Sequence, residues 1–296
     1  MSYIQAIILG FVQGATEFLP VSSSGHLAIL KNIFGLSEIG ITFDIFLHVG
    51  TLAAVFLVYY KDIWELIKNL FCIIGCVFFN IDAWLRNIPI RYDEDKIKYK
   101  KVISNTYRRF VLLAVVSTIP VAIVGFLFED YIESVSEGLL VPGICLLITG
   151  VVLLIADALP GGNKNANNMT YKNAVAVGIC QACAVFPGIS RSGSTISGAL
   201  ISGLNRDFAV KYSFILSIPA ILGAALLSVV DIAKGEVVVE SDEIGMYVVG
   251  MVIAAVVGYF AIKFLLVLVR KKKFKWFSLY CFAVGIFAII GNFVIK

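Results

Sequence analysis

An otherwise apolar chain is broken twice by the same polar, proline-bearing stretch, and any fold it adopts has to accommodate both breaks. FVQGATEFLPVSSSGH at residues 11–26 and ICQACAVFPGISRSGS at 179–194 align without a gap at an offset of 168. Gln13/Gln181, Phe18/Phe186, Ser22/Ser190, Ser24/Ser192 and Gly25/Gly193 match, whereas Glu17, Ser23 and His26 face Val185, Arg191 and Ser194 in the second copy. Of the 296 residues, 59% are hydrophobic and 15% charged, with a mean hydropathy of +0.93. Such a composition excludes an ordinary soluble domain and indicates an integral membrane protein.

Apolar runs able to cross ~30 Å of hydrocarbon occur near 43–60, 110–128, 139–156, 211–230, 245–269 and 277–295. Residues 1–34 and 172–204 are also apolar but carry the polar breaks. Backbone interrupted in this way survives at membrane depth only where it is buried in protein or lines a cavity. Each stretch therefore reads as a re-entrant pair of half-helices. The first is not a signal peptide, because it lacks a basic n-region and Gln13, Glu17 and Pro20 break its apolar core.

The expected fold is an all-α integral membrane protein with an inverted-topology repeat, six full transmembrane helices and two re-entrant half-helix hairpins. The first repeat covers 1–157, with its crossings near 43–60, 110–128 and 139–156 and a cytoplasmic insertion at 61–109. The second covers 172–296, with crossings near 211–230, 245–269 and 277–295. A Gly/Asn-rich loop, LPGGNKNANN at 159–168, marks the junction. In this topology 19 of the 24 Lys and Arg fall on one side, including the RKKKFK run at 270–275. The opposite loops are acidic, with Glu129, Glu133, Glu236 and Glu240. The positive-inside rule makes the basic side cytoplasmic, so both termini and the mouth of the first hairpin are expected outside. LFCIIGCVFF at 70–79 is too short to cross and is expected to form an interfacial helix, with Trp84 at headgroup depth.

The chemistry concentrates at the breaks. Ser22, Ser23, Ser24 and Gly25 after Pro20, and Ser190, Arg191, Ser192 and Gly193 after Pro187, have the pattern of helix N-termini. Two such ends meeting at one point supply free N–H donors and positive dipole ends, a site for an anion such as phosphate. Serines at these positions can also serve only as caps and helix contacts. Arg191 is costly near the bilayer centre and implies a function or a standing partner, for which Glu17 is the candidate. His26, three residues beyond Ser23, is placed to exchange its proton or to protonate a leaving oxygen. Glu17 could orient His26, act as the base itself or help bind a divalent cation. Asp44, His48 and Thr51 are secondary candidates for which a structural role competes. The six cysteines, including the Cys180/Cys183 pair, lack the further ligands of a zinc site and read as packing residues.

On these residues the chain resembles the undecaprenyl-diphosphate phosphatase family of bacterial membranes, the bacitracin-resistance phosphatases. TEFLPVSSSGH at 16–26 and PGISRSGST at 187–195 look like its two signature motifs; FDIFLHVGTLAAV at 43–55 and FILSIPAILGA at 214–224 resemble weaker ones. The resemblance implies removal of the terminal phosphate from a C55 polyprenyl diphosphate, regenerating the monophosphate carrier of cell-wall precursors. It also implies Glu17 as essential acid, Ser23 as nucleophile or phosphate ligand, His26 as general acid/base, Arg191 as phosphate clamp, and Mg²⁺ or Ca²⁺ in support. One departure is Gln13, where many members carry a second Glu; a metal site on Glu17 with Gln13 would have one carboxylate. The expected partners are the lipid substrate and membrane lipids, with no nucleic acid; a homodimer is left open. The rival reading is a polyprenyl-phosphate transporter or flippase of inverted-repeat design.

Overall fold

The computed structural model describes residues 1–36, 41–89, 92, 95–128, 138–234, 241–270 and 273–294. Glu129, Glu133, Glu236, Glu240, Lys271 and Lys272 lie outside the described residues. Among the described residues there are ten helices: α1 (Tyr3–Phe18), α2 (Ser23–Ile33), α3 (Ile41–Asn87), α4 (Thr106–Leu127), α5 (Leu140–Ala158), α6 (Tyr171–Cys183), α7 (Arg191–Ile201), α8 (Arg206–Lys234), α9 (Ser241–Arg270) and α10 (Phe274–Val294). Six of them, α3, α4, α5, α8, α9 and α10, are long and apolar enough to cross a membrane. The protein is a multi-pass, all-α membrane protein.

Local sequence explains where the short helices begin and stop. Ser2 caps α1 through a reciprocal box with Gln5, and Thr170 caps α6 with Asn173 in the same way. Pro20 ends α1, because the residue before a proline is pushed out of helical geometry; Leu19 is extended at φ −67°, ψ 140°. Pro142 falls in the first turn of α5, where its missing N–H is harmless.

The stretch after residue 60 differs from the expected short interfacial helix. α3 runs 47 residues with one non-helical residue, Tyr59 at φ −111°, ψ 23°, a length of about 70 Å. What extends the helix is a set of contacts distant in sequence. The Asn80 side chain donates to the Lys100 carbonyl and accepts from its N–H (2.9 and 2.7 Å), and Asn87 grips Ile97 in the same two-way fashion (2.9 and 2.8 Å). The chain from Ile97 to Lys101 is thereby laced along one face of the helix. Trp64, Phe71, Phe78 and Trp84 stay exposed.

Elsewhere the bundle is joined by close helix pairs: α1 on α9, α3 on α9, α4 on α6 and α5 on α10. Two of these depend on glycine. A Cβ on Gly10 would stand 2.5 Å from the Gly250 carbonyl oxygen of α9, and one on Gly178 would stand 2.5 Å from the Ser117 carbonyl oxygen of α4. Small residues at such crossings are how helices approach in lipid, where burial from water supplies no drive. Replacing Gly10 with Val should cost about 1–3 kcal/mol through overpacking. The check is a lower melting temperature of the purified protein in detergent; an unchanged one would contradict the tight α1–α9 crossing.

Candidate active site

The polar breaks fold as two turns of different construction. In the first, Val21 N–H reaches back to the Leu19 carbonyl (2.7 Å), and Ser22 takes φ 67°, ψ 97°, the single non-glycine residue with positive φ among those described. A conformation of this kind costs about 1–3 kcal/mol and persists only where neighbours enforce it. Ser22 Oγ caps α2 by accepting from Gly25 N–H (3.3 Å). In the second turn Gly188 takes the positive φ, 96°, and Ser190 caps α7 from ordinary backbone by accepting from Gly193 N–H (3.0 Å).

The two turns lie against each other. Ser192 Oγ donates to the Leu19 carbonyl (3.2 Å), Gly188 N–H donates to Ser24 Oγ (3.2 Å), and a Cβ on Gly25 would sit 3.2 Å from Gly188 Cα. The starts of α2 and α7 therefore share one small region. Thr149 of α5 holds the second turn in place, donating to the Gly188 carbonyl (3.1 Å) and accepting from Ser190 N–H (3.0 Å).

The Glu17 carboxylate is the centre of this region and is nearly inaccessible, 7% exposed. Its Oε2 accepts from Ser23 Oγ at 2.6 Å and from Gln13 Nε2 at 3.0 Å, while Oε1 pairs with Arg191 Nη2. Charge-assisted bonds of this type are the strong ones, and a buried carboxylate requires them. His48 Nδ1–H donates to the Asp44 carbonyl (2.7 Å), which turns its Nε2 toward Glu17 at 3.6 Å. The proline turn thus brings Ser23 back over Glu17 although six residues separate them.

Gln13, Glu17, Ser23, Arg191 and His48 therefore come together, with Ser22, Ser24, Gly25, Ser190, Ser192 and Gly193 forming the two helix starts around them. His26 points elsewhere: Nδ1 bonds the Ser22 carbonyl (2.7 Å) and Nε2 meets the Tyr280 hydroxyl of α10 (2.8 Å). Ser23 donates to Glu17 and not to this imidazole. Thr51 donates to the His48 carbonyl (2.8 Å), and Asp44 pairs with Lys31 (2.8 Å). Thr149 and Tyr280 had no signal in the motifs, since both come from long helices that are apolar to inspection.

Several buried polar groups among the described residues lack hydrogen-bond partners, and three of them bear on the two turns. Arg191 Nη1 and Gln13 Oε1 have none beside the carboxylate, and Gln181, at the position matching Gln13, has neither amide atom bonded. The second copy has Val185 where the first has Glu17, which leaves the Gln181 amide nothing to donate to one turn on. A buried guanidinium N–H without an acceptor is costly to keep and complements an incoming oxyanion. Among the described residues no group of three or more His, Cys, Asp or Glu is close enough to hold a metal ion, and all six cysteines are free.

A bundle with six helices long and apolar enough to cross the membrane, gathering a guanidinium, a hydroxyl–carboxylate pair and two helix N-termini within it, belongs to the membrane proteins that handle phosphate-bearing substrates. The chain is a member of the BacA family, whose model, described as bacitracin resistance protein BacA, matches residues 6–287. It is 40% identical over 295 residues to a protein of Methanosphaera stadtmanae, covering 100% of both chains. It is 41% identical over 291 residues to one of Alkaliphilus metalliredigens, covering 98% of both, and 40% identical over 293 residues to one of Methanobrevibacter smithii, covering 99% of this chain and 98% of that one. Each of the three is named undecaprenyl-diphosphatase.

Breaking the central pair from one side strands the other charge, a loss of about 3–5 kcal/mol. Glu17→Gln should therefore melt well below the parent protein in detergent, and combining it with Arg191→Leu should recover most of that loss. Additive losses in the double variant would contradict a coupled buried pair.

Proposed function

We propose that this protein hydrolyses undecaprenyl diphosphate to the monophosphate and inorganic phosphate, returning the lipid carrier to cell-wall synthesis. The observation that carries the mechanism is the 2.6 Å bond from Ser23 Oγ to the Glu17 carboxylate, with the Arg191 fork on the other carboxylate oxygen. The hydroxyl already points its proton at a base, and the guanidinium has a spare buried donor.

In this reading the terminal phosphate binds Arg191 and the free amides at the starts of α2 and α7. Moving the guanidinium onto phosphate releases Glu17 to accept the Ser23 proton as Oγ attacks the terminal phosphorus. The bond from that phosphorus to the bridging oxygen breaks, the electron pair leaves with the lipid monophosphate, and a phosphoserine remains. Water then attacks the phosphoserine phosphorus, giving a proton to the Glu17 carboxylate, which has returned the first to solvent. The P–Oγ bond breaks with its electron pair on Oγ, Glu17 hands the proton to Oγ, and inorganic phosphate leaves. Arg191 and the helix ends neutralise the charge that spreads over the transferring group. A carrier-only role gives the Ser23–Glu17 pair no task.

A Mg²⁺ or Ca²⁺ ion does not fit a protein-built cage here: both oxygens of the one carboxylate are engaged, and Gln13 Oε1 is the uncommitted acceptor beside it. A supporting cation would be held by the diphosphate oxygens of the substrate.

The same proposal includes an inverted repeat whose hairpins, α1–α2 and α6–α7, are re-entrant from opposite faces. It is supported by the crossed packing, in which α1 lies on α9 while α6 lies on α4, and by the matched glycines Gly10 and Gly178. The excess of basic residues on one side of that topology supports an orientation with both termini and the site's mouth outside.

In a phosphate-release assay on purified protein with undecaprenyl diphosphate, Ser23→Ala and Arg191→Lys should each lower kcat about 100-fold or more while melting near the parent. Near-normal turnover in either would defeat the assigned roles. Trapped phosphoserine at residue 23 is the expected intermediate, and EDTA should act through substrate affinity more than through fold.

A further inference from the structure

His26 is engaged at both ring nitrogens, and the partners fix what it can be doing. The Ser22 carbonyl only accepts, so Nδ1 carries the hydrogen and donates it across 2.7 Å. Nε2 of the neutral ring then offers a lone pair, which the Tyr280 O–H fills at 2.8 Å. The two rings are nearly parallel, 5° apart with centroids separated by 5.5 Å. The same Ser22 carbonyl also accepts from the His26 backbone N–H at 3.3 Å. Ser22 is the residue forced to φ 67°, and the matching Ser190 of the other copy, at φ −69°, is followed by Ser194 in place of the histidine. The imidazole is thus present in the copy whose cap is strained and absent from the one whose cap is relaxed.

We propose that Tyr280, His26 and the Ser22 carbonyl form a strut that holds Ser22 in its positive-φ conformation and thereby aims Ser23 at Glu17. Tyr280 is a positioning residue in this reading, acting from α10 through His26, and His26 acts on the backbone of the turn. The strut rests on the hydrolase reading above only for the consequence of aiming Ser23; the mechanical coupling stands by itself. A second contact ties the same helix to the same turn, since Cys281 Sγ lies 3.8 Å from the Pro20 carbonyl.

The experiment is a double-mutant cycle between Tyr280→Phe, which keeps the ring and removes the hydroxyl, and Ser22→Gly, which permits positive φ without enforcement. With Ser22 present, Tyr280→Phe should lower kcat about 10-fold or more with KM changed less than twofold. In the Ser22→Gly background the same replacement should change kcat less than twofold. Melting temperatures in detergent read the same coupling without turnover: Tyr280→Phe should lower the melting point with Ser22 present and not in the Ser22→Gly background. An equal loss in both backgrounds would assign His26 to proton transfer and overturn the strut. Parent-level kcat and melting point in Tyr280→Phe would also overturn it. Failure of the parent protein to release phosphate would count against the hydrolase reading alone, because the melting cycle still decides the strut.

Discussion

A carboxylate and a guanidinium held together inside a helix bundle, away from water, govern the rest of this structure. Neither Glu17 nor Arg191 is tolerable alone at that depth, and the two are contributed by turns 174 residues apart. Their pairing therefore requires both proline turns to arrive at the same place, and the small contacts around them, Ser192 to Leu19 and Ser24 to Gly188, are the fittings that make this possible. Thr149 of α5 fastens one turn from outside. The charges that make the site chemically useful are also those that lock the two halves of the chain together.

Much of this was legible in the residues. Pro20 and Pro187, each followed by serines and a glycine within an apolar run, announce a helix that stops and restarts, and a membrane leaves few ways to do that. Arg191 announced a partner through its cost, and Glu17 was the available acid. What stayed hidden depended on contacts between distant segments. α3 continues past its hydrophobic portion because Asn80 and Asn87 find backbone partners beyond the following loop, which no periodicity within the helix reveals.

The orientation of His26 is a sharper instance. Three-residue spacing from Ser23 puts the imidazole on the adjacent surface of α2, but the turn folds Ser23 back toward Glu17, and a tyrosine more than 250 residues away takes the other ring nitrogen. Spacing along a helix identifies neighbours; it does not say where a broken segment before the helix returns. His48, on a separate helix, ends nearer the carboxylate for the same reason.

The unsatisfied amide of Gln181 points to how the duplicated halves have come apart. It occupies the place of Gln13, faced by Val185 instead of an acid, so the second turn keeps the architecture without the means to form a matching centre. Two identical turns would each carry the same groups. With the acid and hydroxyl on one turn and the cation on the other, neither turn carries a full set, and a few side chains decide that the chain assembles one centre and not two.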